Sequence, residues 1–166
     1  MKLLKSYPLS PRRYYLDIYH QSPISRTIFI HDERLCLPFP DMLFFVNYVP
    51  TNCYYLRNNF SVVFTDSQLR NLSYVPLPNI FGCDVCSSSS VKYKLYKTRE
   101  EIGCSLIEDF WISKFSAERN DNFYRLNPEL LDYQDWQQGK LETKIYKESI
   151  EEYLHSNYPD FQGDKL

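Results

Sequence analysis

Met42-Leu43-Phe44-Phe45-Val46-Asn47-Tyr48-Val49 is apolar on both faces of an extended chain, the pattern of a strand buried in the middle of a sheet. Working outward, Pro50-Thr51-Asn52 ends this run, and Phe60-Ser61-Val62-Val63-Phe64-Thr65 is the next strand, after a turn signal at Arg57-Asn58-Asn59. Residues 53–56 belong either to a strand of their own or to the preceding one. On the other side stands Leu37-Pro38-Phe39-Pro40-Asp41, where two prolines lack amide donors, so this piece is expected outside any ladder. Earlier still, β-favouring runs at 14–19 and 26–30 flank Gln21-Ser22-Pro23, which predicts a hairpin. Residues 1–13, rich in Lys, Pro and Arg, read as an irregular arm.

Composition agrees with a sheet. The chain carries 15 Tyr, 11 Phe and 2 Trp but only 4 Gly in 166 residues, which favours a core of rings and β-branched side chains over a helical bundle. At about one domain per 150 residues, this length implies one domain with an appended tail. A formal charge of -2 supplies no positive field for phosphate backbones, so nucleic acid is not the expected partner. Five cysteines, sparse and odd in number, suit reduced thiols in a cytoplasm better than a disulfide framework. Met42 to Val46 is the longest apolar run, far short of the ~20 residues a membrane span requires. The first residues lack the apolar stretch of an export signal.

Downstream of Pro76-Leu77-Pro78-Asn79, a stretch without periodicity runs to the serines at 87–90 and reads as a loop. Val91, Tyr93 and Leu95 alternate with lysines and Tyr96 as a short half-exposed strand. Thr98 and Glu101 form a capping box for a helix that carries Ile102, Leu106, Phe110, Trp111 and Phe115 at helical spacing, with Cys104 as a small packing group. Tyr133 and Trp136, among polar residues, predict a loop or short helix whose rings dock on the domain. A second helix is expected at about 141–154, and residues after Ser156 look loosely attached. The organisation expected is an arm at 1–13, an α+β domain at 14–126 and a C-terminal extension at 127–166.

Chemistry concentrates in Pro78-Asn79-Ile80-Phe81-Gly82-Cys83-Asp84-Val85-Cys86. A loop thiol serves as a nucleophile when a neighbouring donor holds the developing oxyanion, and Asn79 with Cys86 is such a candidate pair. The bland reading is a buried thiol and a turn asparagine. Cys83 and Cys86 also form a Cys-x-x-Cys, but Cys36, Cys53 and Cys104 are isolated and the pair does not open a helix. Zinc and thioredoxin-type redox chemistry are therefore disfavoured, and no metal or cofactor is expected. His20, His31 and His155 bear no fixed spacing to a thiol. There is no glycine-rich phosphate loop.

Leu77-Pro78-Asn79-Ile80-Phe81-Gly82 followed by Val85-Cys86 resembles the His-Pro-Asn and Gly-x-(Ile/Val)-Cys segment of ubiquitin-conjugating (UBC) enzymes. It is closer to the prokaryotic UBC-like proteins of plasmids, phages and mobile elements, which share a Pro-Phe-Pro type of entry to an apolar strand. The likeness spans residues 37–115. Leu77 stands in the place of the histidine, the Asn-to-Cys interval is a residue short, Gly82 is displaced, and serines follow Cys86. The resemblance implies a UBC-like antiparallel sheet with a packed helix. It further implies a bacterial cytoplasmic protein that accepts a ubiquitin-like C-terminus as a thioester on Cys86, with Asn79 supporting the oxyanion and an activating enzyme as partner. The alternative is a non-catalytic interaction or assembly protein, such as a phage or plasmid structural component, that uses a degenerate form of this fold to bind protein partners or itself.

Overall fold

A computed structural model describes residues 1–9, 14–30, 33–86, 94–115, 133–141, 143 and 145–162. The chain is α+β, with a curled antiparallel sheet and a few helices. Its first strands are β1 (Lys2–Leu9), β2 (Tyr14–Gln21), β3 (Ile24–Ile30), β4 (Glu33–Phe39), β5 (Asp41–Pro50) and β6 (Tyr55–Thr65). The main sheet runs β1-β2-β5-β6 and then continues through β7 (Arg70–Ser73) to β12 (Ile145–Ser149).

The expected hairpin between residues 14–19 and 26–30 does not form, because β2 pairs with β5 and β3 with β4. These pairings are two halves of one long hairpin. Gln21 faces Met42, Ile24 faces Phe39, and two residues on each arm separate the pairs, so the register passes through the interruption unbroken. The separating residues are Ser22-Pro23 and Pro40-Asp41. Proline on both arms removes ladder donors at the same level, and there the ribbon leaves the main sheet to form a second, three-stranded one, β11-β3-β4, with β11 at Lys114–Phe115.

Residues 37–39 are ladder-paired, against expectation. β4 is the free edge of the small sheet, where proline is tolerated. A strand residue points its N–H and C=O to the same side. The Pro38 carbonyl accepts from Trp136 Nε1 at 2.6 Å, so its missing donor also faces away from β3.

β5 is buried over its first eight residues and divides the interior by its alternation. Met42, Phe44, Val46 and Tyr48 join one core, closed by helix α1 (Arg99–Ile112) through Ile102, Leu106, Phe110 and Trp111. Leu43 and Phe45 join the other, closed by helix α3 (Ile150–Asn157), whose Tyr153 ring stacks on Phe45 at 4.4 Å. The Thr98–Glu101 capping box of α1 is present as the sequence requires. Gly103 lets this helix lie against β2, since a Cβ there would collide with the Tyr19 ring and hydroxyl. Phe115 lies outside α1, which stops at an extended Ser113, and Cys104 is exposed instead of packed.

The described residues of both terminal segments form more regular structure than predicted. Residues 2–9 form edge strand β1, with Tyr7 and Leu9 buried. Within the segment expected to be helix from 141 to 154, residues 145–149 form β12 and the residues from Ile150 on form α3, whose N-cap Ser149 side chain accepts from the Glu152 amide. Tyr158 and Phe161 are buried, the latter edge-on to Tyr7 at 4.8 Å. The Trp136 ring, carried by short helix α2 (Tyr133–Gln137), docks as predicted, against Phe39 and Phe64. No helix of the described residues is long and apolar enough to cross a membrane.

Candidate functional site

Strand β6 positions the site. One flank pairs with β5 along its length, while the other is shared by three short partners. These are β10 (Leu95–Tyr96) at Tyr55 and Leu56, β9 (Asp84–Val85) at Ser61, and β7 at Phe64. The Arg57-Asn58-Asn59 signal is no turn. These residues lie within β6, where a bulge opposite Asn47 and Tyr48 absorbs the polar residues without breaking the strand. Residues 53–54 precede β6 as its connection from β5, whereas Tyr55 and Leu56 begin it.

The stretch read as a loop contains a tight hairpin. β8 (Ile80–Phe81) pairs with β9 across Gly82 and Cys83, and Gly82 has the left-handed φ of +61° that such a turn favours. Asn79 also takes a left-handed φ, +67°, which asparagine tolerates better than most residues. The hairpin is fixed to β6 at several points. Val62 N donates to Cys83 O at 2.8 Å. The Asp84 carboxylate accepts from Ser61 Oγ at 2.6 Å and from Asn59 Nδ2 at 2.9 Å.

Asn79 and Cys86, the two residues selected from sequence, are brought side by side through the backbone. Cys86 N donates to Asn79 O at 2.7 Å, which extends the β8–β9 ladder by one rung. The Asn79 side chain goes elsewhere: its Nδ2 donates to the Lys114 carbonyl at 3.1 Å and ties the hairpin to β11. The amide is thus engaged in structure rather than directed at a thiol.

The two cysteines of the Cys-x-x-Cys differ in environment. Cys86 is exposed, while Cys83 is buried among the aromatic residues of the α3 core. Burial, reinforced by the nearby Asp84 carboxylate, pushes the Cys83 thiol from 9.0 up to about 12, against a hydrogen bond with Tyr153 that favours the thiolate. Cys83 is therefore a protonated packing group at neutral pH, and Cys86 is the accessible thiol.

Sequence reading missed Arg57. Its Nη2 donates to Val85 O at 3.1 Å, and its guanidinium lies 5.7 Å from the Phe60 ring. Burial lowers its pKa from the ordinary arginine value, while Tyr96, Asp84 and Cys86 act in the opposite sense. Nothing in the spacing from Arg57 to Cys86 connects them; only the pairing of β9 with β6 does.

The remaining candidates lie apart from this hairpin. His20 Nε2 and Asp41 Oδ1 are 2.6 Å apart on β2 and β5, and the His155 ring packs on Phe161. His31 is outside the described residues, as are the serines at 87–90 and residues 91–93 of the expected alternating strand. Among the described residues no group of three or more His, Cys, Asp or Glu side chains could hold a metal ion. A groove of about 450 Å³ is floored by Phe39, Phe64 and Trp136. Polar side chains on its wall bond to one another, Ser73 Oγ to Thr143 Oγ1 and Asn71 Nδ2 to Asp66 Oδ2, both at 2.9 Å. No family model, no curated protein and no solved structure matches this chain.

Proposed function

We propose that this chain is a UBC-like carrier that accepts the C-terminus of a ubiquitin-like protein as a thioester on Cys86. The observation that carries the reading is the contrast within the Cys-x-x-Cys: Cys86 is exposed at the end of an anchored hairpin, and Cys83 is sealed in the core. Carrier chemistry asks little more of a site than an approachable thiol held still. The Cys86 sulfur attacks the acyl carbon of a thioester delivered by an activating enzyme and forms a new C–S bond. The donor's C–S bond breaks, and the donor leaves as a thiol carrying the proton that Cys86 gave up.

A second reading is favoured by one specific contact. The Asn79 amide, which would support the oxyanion, is given to Lys114 O. On this reading the hairpin is a rigid element of a non-catalytic interaction or assembly protein.

Intact mass of the protein purified from its native source without reductant, for wild type, Cys86→Ser and Cys83→Ser, separates the two. The carrier reading expects a protein-sized adduct in wild type and Cys83→Ser that is absent from Cys86→Ser. Neutral hydroxylamine should release it, which distinguishes a thioester from a disulfide. Absence of an adduct in wild type after incubation with native-source extract and ATP overturns the carrier and leaves the interaction protein.

A further inference from the structure

We propose that the open edge of β4 is a docking site for an extended segment of another protein, one that carries an acidic side chain opposite Arg34. The proposal is independent of the chemistry at Cys86. One bond sets the direction of the backbone groups along β4: the Pro38 carbonyl faces away from β3, where it accepts from Trp136 Nε1. Strand residues alternate in the side to which they point their N–H and C=O. Arg34 and Cys36 therefore also point theirs outward, while Glu33, Leu35 and Leu37 face β3. β4 ends its sheet, and no described residue hydrogen-bonds to the outward groups of Arg34 or Cys36. Two donors and two acceptors are thus left in line on an exposed strand, the template to which a further strand pairs.

Charge and side-chain pattern choose the occupant. Register sets Lys114, Phe29 and Arg34 in one row across β11, β3 and β4, with Thr27 and Cys36 in the row beside it. All five residues are exposed, Phe29 by 42%, and none is acidic; Glu33 projects to the opposite face. Among the described residues Arg34 has no ion-pair partner. A carboxylate across from Arg34 therefore meets an unmatched cation, and cross-strand neighbours of opposite charge favour pairing. The adjoining side chain of the segment falls on the other face beside the partly buried Leu35, where an apolar residue fits. A second copy of this chain fits less well. Antiparallel self-pairing centred on Arg34 sets like charges face to face, and centred on Leu35 or Cys36 it drives each strand into the Trp136 bonded to Pro38 O.

A pair of capped, dye-labelled peptides tests the edge on the full chain: Thr-Val-Thr-Leu-Glu-Val, which lays Thr-Leu-Glu antiparallel against residues 34–36, and its counterpart with Lys in place of Glu. Binding is read by fluorescence anisotropy. The Glu peptide is expected to bind roughly fivefold more tightly, the order of a favourable cross-strand charge pair exchanged for a repulsive one. Arg34→Glu should invert the preference. Cys36→Pro removes one outward N–H and no bond of the β3–β4 ladder, a change an edge strand tolerates, and should weaken binding roughly tenfold. Equal affinity for the two peptides, no binding of either at millimolar concentration, or undiminished binding to Cys36→Pro overturns the proposal. A concentration-dependent dimer that Cys36→Pro dissolves would assign the edge to a second copy and overturn it equally. Should Cys36→Pro fail to fold, the inversion by Arg34→Glu and slowed hydrogen exchange of the Arg34 and Cys36 amides under the Glu peptide decide, and the absence of either overturns the proposal.

Discussion

Two arginines do different work in this protein. Arg99, at the start of α1, reaches the Asp17 carboxylate on β2 at 2.9 Å, and Asp17 is fully buried and also accepts from Ser6 and Tyr48. Arg57, on β6, ends on the carbonyl of the residue before an exposed thiol. The first charge is matched by an opposite one and fastens a helix to a sheet. The second is carried by a side chain that donates to a backbone carbonyl and ties the β8–β9 hairpin to β6. The lesson is that an arginine bonded to a carboxylate fastens two elements through their side chains, whereas one bonded to a carbonyl holds the course of the backbone itself.

Substitutions can break or sharpen this contrast. The largest effect is expected from Arg99→Met, which leaves the Asp17 carboxylate buried without its cation. A loss of about 3 kcal/mol in urea unfolding is expected, at the low end for such pairs because Arg99 is one-third exposed. Gly103→Ala tests the same helix contact by shape alone, and overpacking against the buried Tyr19 ring should cost about 2 kcal/mol. Arg57→Gln should cost about 1.5 kcal/mol, the low end for a hydrogen bond from a charged donor, since glutamine can still donate to Val85 O. A loss as large as that of Arg99→Met would erase the contrast.

The effect that is smallest at neutral pH, where it is silent, concerns Cys83. Its thiol ionises near 9.0 in the unfolded chain but only at about 12 when folded. Between these values the unfolded state has lost a proton that the folded state keeps, so raising pH favours unfolding. Stability should therefore fall more steeply from pH 9 to pH 11 in wild type than in Cys83→Ala. Parallel curves would show that Cys83 does not feel the core it lies in.

Much of the central architecture was legible because local and tertiary demands agree there. The run at 42–49 has no polar face, so it must be covered on both sides, and it is. Thr98 and Glu101 satisfy each other within one helical turn, so their capping box needs no distant partner. The failures share the opposite character. Pro38 violates a ladder rule that does not apply at an edge, and being an edge is a property of the whole sheet. Arg57-Asn58-Asn59 looks like a turn because a bulge and a turn use the same residues. Residues 145–149 carry the Glu and Lys of an exposed helix, yet β7 offers them a free flank.

The candidate site divides in the same way. Asn79 and Cys86 were identifiable by residue type and proximity in the chain, and the β8–β9 ladder brings them together. Which cysteine is buried, where the Asn79 amide points and that Arg57 belongs to the site were not. By itself the sequence determined an aromatic-rich sheet with a doubly covered central strand, a capped helix and an aperiodic stretch bearing two thiols, since each follows from side-chain pattern within a short window. Only the tertiary structure decided that one long ribbon divides between two sheets and that β6 presents Arg57 to the peptide of Cys86. Both depend on pairing between residues distant in sequence, and that pairing is chosen by backbone hydrogen bonds, which every residue type except proline can donate.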